Sequence, residues 1–279
     1  MAHANTFSDI SSYVNNILED SLLIAREQGV MPMLVQNFSA VGENPRKVYQ
    51  YGTVTINDIG ESDDMVSQAF TPSLLSTLTP AEAGAQYFLT DRRLASDWSA
   101  VRADASQDLG QAMGEKIDTD LVGLFSSLTG GTVGAAGTNM AWATFFAAKT
   151  VLKALKAPLP YVCVLHPYQT HCMGTAVAPG VTVTNSPKLQ DEFASMFFVA
   201  NVSGIDIYED GNITSGTSCF GAMFSRQAIA LDTRRAPRIE YERDASRRGF
   251  ELNASMIYAK GTWRPTFGVA INTAGTAPA

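Results

Sequence analysis

The sequence predicts an α+β fold, and three observations carry that prediction. Residues 97–128 repeat apolar side chains every three or four positions, the period of one long helix. Runs rich in β-branched and aromatic residues stand before and after it with the two-residue period of strands. Between the long helix and the last strands, the text alternates helical and strand-like segments. A chain of 279 residues has room for one large domain or two modest ones with an ample core.

Taken in order, residues 7–28 predict an amphipathic helix. Thr6 and Asp9 stand at capping-box spacing, Asp being a weaker third-position partner than Glu, and Ile10, Val14, Ile17 and Leu18 follow at helical intervals. Gly29 stops the run and Met31-Pro32 turns it extended. Over 48–57 the period shortens, with Val48, Tyr49, Tyr51, Val54 and Ile56 around Gly52. An acidic stretch, IGESDDM at 59–65, follows, and a second extended segment at 86–89 comes after Pro72, Pro80 and Gly84. The two runs with their long polar tip predict a projecting β-hairpin, since a loop of that length is uncommon unless it is functional.

The helix at 97–128 carries Trp98, Val101, Ala105, Leu109, Met113, Ile117, Leu121, Leu124 and Leu128. Its length would be about 45 Å at 1.5 Å per residue. Gly110 and Gly114 lie one turn apart within it, each costing about 1 kcal/mol against Ala, and predict close approach of a neighbouring backbone. After a glycine-rich break at 129–137, Asn139 is expected to cap a helix carrying Trp142, Phe145, Phe146, Val151, Leu152 and Leu155, closed by Pro158. A buried strand, YVCVLH, is expected at 161–166. Ser186-Pro187 opens a helix with Leu189, Phe193, Met196 and Phe197. Strands are expected at 204–208, 219–224, 238–243, 250–258 and 263–272.

Composition excludes several functions. The net charge is −7 and only 17% of residues are charged, a poor basis for coating nucleic acid, which needs a net-basic face. One local exception is a cluster of six arginines, Arg234, Arg235, Arg238, Arg243, Arg247 and Arg248, interleaved with Glu240, Glu242 and Asp244, which cut its field. The opening MAHANTFSD has neither the basic nor the apolar region of a signal peptide, and nowhere do eighteen apolar residues run together. Cys163, Cys172 and Cys219 are odd in number and lack CxxC spacing, so they read as free thiols of a reducing compartment.

Chemistry-bearing residue types gather once, in CVLHPYQTHC at 163–172. Cys163, His166, His171 and Cys172 there lack a fourth ligand and metal-site spacing. A Cys–His nucleophile pair would have to meet in space, and thiols packed as small apolar groups are the preferred reading. No GxSxG, P-loop, HExxH or GxGxxG pattern is present, and TGGTVGAAG at 129–137 lacks the Lys-Ser/Thr of a phosphate cradle. Glu61, Asp63 and Asp64 lack the calcium-loop pattern and read as a solvated tip. The expectation is a protein without catalytic residues, metal or cofactor.

The order of parts is distinctive: helical arm, long hairpin, spine helix, α/β insertion, closing strands. It resembles the major capsid protein of tailed bacteriophages, the Hong Kong 97-type fold. EKIDTDLVGLFSSL (115–128) is similar to the end of that family's spine helix. AKTVLKALKAPLPYVCVLHPYQ (148–169) is similar to the helix and strand that open its axial domain. FGAMFSRQAIAL (220–231), followed by RIEYERDASRRGFELNASMIYAKGTWRPTFGVAINT (238–273), is similar to the return into its peripheral domain. The resemblance runs from about residue 5 to 273.

The resemblance implies an N-terminal arm at 1–35, an extended hairpin loop at 36–95, a peripheral domain with spine helix at 96–135, an axial domain at 136–233 and return strands of the peripheral domain at 234–279. It implies a coat protein that assembles with itself into hexamers and pentamers of an icosahedral shell around double-stranded DNA, without sequence-specific binding. Scaffolding, portal and decoration proteins are the implied partners, and the virion, assembled in the host bacterial cytoplasm, is the implied location. With no room ahead of the arm for a fused scaffold, scaffolding is expected to be separate or already removed. Some members cross-link a hairpin Lys to an Asn, but Lys47 lies at the hairpin's base and the tip has none, so no cross-link is expected. Subunit-interface candidates are Arg238, Glu240, Glu242, Arg243, Asp244, Arg247, Arg248, Lys47, Glu61, Asp63 and Asp64. In the strand at 238–243, Ile239 and Tyr241 should face the spine helix, and the charged residues a neighbouring subunit. The alternatives are an encapsulin-type compartment and a Cys/His hydrolase built on Cys163 or Cys172.

Overall fold

The computed structural model describes residues 29–52, 54–61, 64–65, 67–96, 101–175 and 201–278. The helices expected at 7–28 and 186–197, and Asp63 of the acidic tip, lie outside them.

A single turn of helix, α1 (Met31–Leu34), has Pro32 in its first turn, where a missing N–H costs nothing. Strands β1 (Gln36–Ser39), β2 (Arg46–Tyr51), β3 (Pro72–Leu78) and β4 (Ala81–Thr90) follow, then α2 (Asp91–Ser96) and the spine helix α3 (Val101–Val122). The insertion contains β5 (Thr132–Val133), α4 (Trp142–Ala154), β6 (Tyr161–Leu165), α5 (Pro167–Thr175), β7 (Asn201–Val202), β8 (Ile205–Glu209) and β9 (Gly216–Ser225). Two long strands, β10 (Ile229–Asp244) and β11 (Gly249–Thr262), precede the closing β12 (Gly268–Gly275).

The strands form three sheets, ordered β1-β10-β11-β4, β5-β12-β9-β6-β8-β7 and β2-β3. Every residue of β6 is buried, because both faces of its sheet are covered. Cys163 and Leu165 pack with Phe145, Ala148 and Leu152 of α4 and with Val269 and Ile271 of β12. Their neighbours Val162 and Val164 point the other way, into a core shared with Leu109, Met113 and Leu121 of the spine and with Leu252, Ala254 and Met256 of β11. The alternation of β6 thus joins the two halves of the subunit through one apolar mass.

Several expectations need correction. The hairpin is real, but its second strand is β3, paired from Arg46↔Leu78 to Tyr51↔Pro72. Residues 86–89 belong to β4, which lies against β11. Residues 72–78 hide their role because PSLLSTL lacks alternation, while Pro80 separates them from β4. The spine ends at Val122, before Gly123, and Phe125–Ser127 tighten into a 3-10 turn, so its 22 residues span about 33 Å. Apolar spacing continues past that end because Phe125 and Leu128 remain core residues.

Among the described residues, a Cβ placed on Gly110 or Gly114 would meet nothing within 4 Å, so no described backbone closes on either glycine. Asn139 does not cap α4: the N-cap is Ala141, without a side-chain bond, and Asn139 instead bridges to Ala274. The strand expected at 263–272 begins at Gly268, after a 3-10 turn at Pro265–Phe267, and pairs with β9 in the six-stranded sheet.

Candidate subunit-interface surface

The arginine cluster occupies the outer part of β10 and its turn into β11. Ile239 packs toward the core beside the spine, and Tyr241 Oη lies 2.7 Å from Ser106 Oγ of α3. Those two residues do face the spine helix. Arg238, Glu240 and Glu242 stand on the opposite, exposed face, where Arg238 Nη1 meets Glu240 Oε1 at 3.1 Å. Glu242 lies directly across from Glu251 in the ladder, a like-charge juxtaposition that the Arg247–Glu251 pair at 3.2 Å relieves.

The turn is held from within the subunit. Asp244 Oδ1 accepts from Ser246 N (2.9 Å), Ser246 Oγ (2.6 Å) and Arg247 N (3.1 Å), and the Ser246 hydroxyl above all holds its carboxyl below the usual range. Arg248 takes the left-handed conformation at φ 51°, and its carbonyl accepts from Asp91 N at 2.9 Å. Arg243 donates to both oxygens of Asp91 and lies over the Phe250 ring at 4.7 Å, while Arg247 lies over Phe88 at 4.3 Å. Asp91 raises the Arg243 guanidinium above its ordinary value.

The remaining candidates lie elsewhere. Lys47 is exposed on β2 opposite Thr77, and Glu61 and Asp64 are exposed on the connection between β2 and β3. The structure therefore brings Arg243, Asp244, Arg247 and Arg248 together and leaves Lys47, Glu61 and Asp64 on a separate element.

Charge-led reading missed the hairpin's apolar surface. Val54, Ile56, Ile59, Met65, Phe70 and Leu74 are all exposed, Ile56 to 93%. Contacts among its described residues cross the connection: Tyr51 stacks on Phe70 at 4.4 Å, and Gln68 bonds both backbone groups of Thr55 at 2.9 and 2.6 Å. Large apolar residues gathered in water in this way have the character of an interaction surface. Its signal was legible as apolar residues recurring through a polar loop.

The Cys/His segment is built differently. Cys163 is wholly buried, and burial pushes its thiol far up, while burial takes Cys219 up to about 11. Neither is a ready thiolate. His166 Nδ1 accepts from Tyr168 N at 3.0 Å, and the buried Gln169 ties the segment to Cys219 O (3.0 Å) and Thr273 Oγ1 (2.8 Å). Among the described residues, no group of three or more His, Cys, Asp or Glu could hold a metal ion, and no helix is long and apolar enough to cross a membrane.

The hairpin thus carries uncovered apolar residues and hangs from the sheet and spine helix of a mixed α+β subunit. Residues 75–271 match the family described as phage capsid protein, and the chain belongs to that family. Its fold is that of tailed-phage major capsid proteins, and it is a capsid protein and virion component. It is similar to a chain of Mycobacterium phage Che8 (17% identity, 91% of this chain and 95% of that one, TM-score 0.74). It is also similar to the capsid of cyanophage P-SCSP1u (16% identity, 93% and 92%, TM-score 0.69) and of Ralstonia phage GP4 (13% identity, 88% and 88%, TM-score 0.65). At such identities the likeness is one of fold. No curated protein matches the chain.

Proposed function

We propose that this major capsid protein closes an icosahedral shell from hexamers and pentamers in the host cytoplasm, around double-stranded DNA that it binds without sequence preference. Scaffolding, portal and decoration proteins are its proposed partners in the particle. The exposed apolar hairpin is the observation that carries the reading: it has too much uncovered surface for a solitary subunit and the right form to lie across a neighbour. The charged face of β10 supplies the contact's selectivity, since interleaved signs reward one register and penalise others. In this role the chain is structural rather than catalytic.

The encapsulin-type alternative is not favoured, the matched family being that of phage capsids. A hydrolase on Cys163 would need a thiolate where burial disfavours one. Sedimentation velocity of the purified protein with its cognate scaffold tests the proposal. Particles of many copies are expected; monomers and dimers alone at every concentration would refute it.

A further inference from the structure

At the base of the β2–β3 hairpin, two residues that face each other in the ladder, Arg46 and Leu78, reach the body of the subunit. Leu78 is wholly buried against Ala230 and Ala259, with Phe38 and Trp263 at the rim. Gly261 makes room for it, because a Cβ there would stand 2.5 Å from Leu78 Cδ2. Arg46 Nε donates to Asp232 Oδ2 at 2.8 Å, and Arg234 Nη2 donates to the same oxygen at 2.8 Å. Arg234 Nη1 reaches Gly42 O at 3.1 Å, holding the turn that leads into β2. The Arg46 guanidinium also lies over the Phe38 ring at 4.7 Å.

This triad is a poor device for stability alone. The Asp232 side chain is 0% exposed and that of Arg234 6%, yet Asp232 Oδ1 and Arg234 Nε are buried without a hydrogen bond. Two cations share one oxygen while its twin is unbonded. Buried ionic groups contribute little net stability once desolvation is counted, and their best-attested use is to fix geometry. One apolar contact at the hairpin's base would define only a pivot. A second, directional contact on the facing strand defines an orientation.

We propose that Arg46, Asp232 and Arg234, with Leu78 as the plug, form the mount that sets the hairpin's direction relative to the four-stranded sheet. Arg46 is then a positioning residue for assembly. This rests on the hairpin's role between subunits, but the mount itself can be tested on the unassembled chain.

The test is pulsed electron paramagnetic resonance between spin labels at Gln50→Cys and Gln111→Cys in a Cys172→Ser background. The labels report the hairpin against the spine helix. A narrow distance distribution is expected for the parent. Arg46→Met, which keeps an apolar stem, should broaden or displace it while the subunit still melts cooperatively, and Arg46→Lys should restore much of the narrowness. An unchanged distribution in Arg46→Met would overturn the mount. So would a collapsed melt in both variants, since the residue would then hold the fold. Electron microscopy separates the two claims: a parent protein that forms no shells strikes the shell reading and leaves the distance result standing.

Discussion

Arg243 meets Asp91 through both nitrogens of its fork, at 3.0 and 2.9 Å, across the junction of β4 and α2 with the end of β10. An arginine proposed for contact with a neighbouring subunit is thus already bonded at home, with half its side chain in water. The pair organises the β10–β11 turn and leaves the outer edge of the guanidinium available.

Replacing Arg243 and Arg247 together by Glu separates these duties. Exposed ion pairs contribute little to folding, so the subunit should stay folded with a modestly lower melting temperature. At a shell contact, the same reversal repeats at every equivalent interface and should block closure. Circular dichroism melting beside electron microscopy checks both. Intact shells from the double variant would remove the interface role.

The buried Asp118 of the spine ties two distant segments. It accepts from Met31 N at 2.9 Å and from Asn212 Nδ2 at 2.9 Å. Asp118→Ala strips one buried and one half-buried donor of their acceptor and should cost about 2–4 kcal/mol. Urea denaturation would show this as a lower midpoint with an unchanged slope.

Acid should weaken the spine's grip on β11. Burial tends to raise the carboxyl of Asp120, but hydrogen bonds from Lys116, Lys260 and Tyr258 outweigh it and hold its pKa below the ordinary value. A depressed folded-state pKa gives stability that is complete above the unfolded-state value and is lost as pH falls through the folded one. Wild-type stability should therefore decline as the pH drops below 3.8, the ordinary value for this group, toward its lower folded-state pKa. In Asp120→Asn that part of the decline should be absent. Denaturation midpoints across an acid series measure the difference.

The three thiols should react unequally. Cys163 and Cys219 are buried and Cys172 is intermediate. A thiol probe should label Cys172 alone in the native protein and all three in denaturant. Rapid native labelling of Cys163 would revive the hydrolase reading.

The helix and strand types were largely legible because their periods follow burial. The fully apolar YVCVL could only be a strand covered on both faces, and Ile239 and Tyr241 alternate with charge because one side of β10 meets the spine. What could not be read depended on partners far along the chain. PSLLSTL becomes a strand only because Arg46–Tyr51 lies beside it. Asn139 looked like a cap but was taken by Ala274. The glycine pair in the spine looked like a backbone crossing, yet no described residue closes on it. At the interface, charge drew attention to β10, and the intrachain partners of Arg243 and Arg247 were invisible because Asp91 and Phe88 belong to other elements.

The hairpin's apolar residues should be exposed only until subunits assemble. Hydrogen-exchange mass spectrometry, comparing the unassembled subunit with purified shells, tests it most directly at residues 46–78. Strong protection is expected across β2, β3 and their connection in shells, with little change in β6, which is already buried in the subunit. Equal exchange of the hairpin in both states would contradict it.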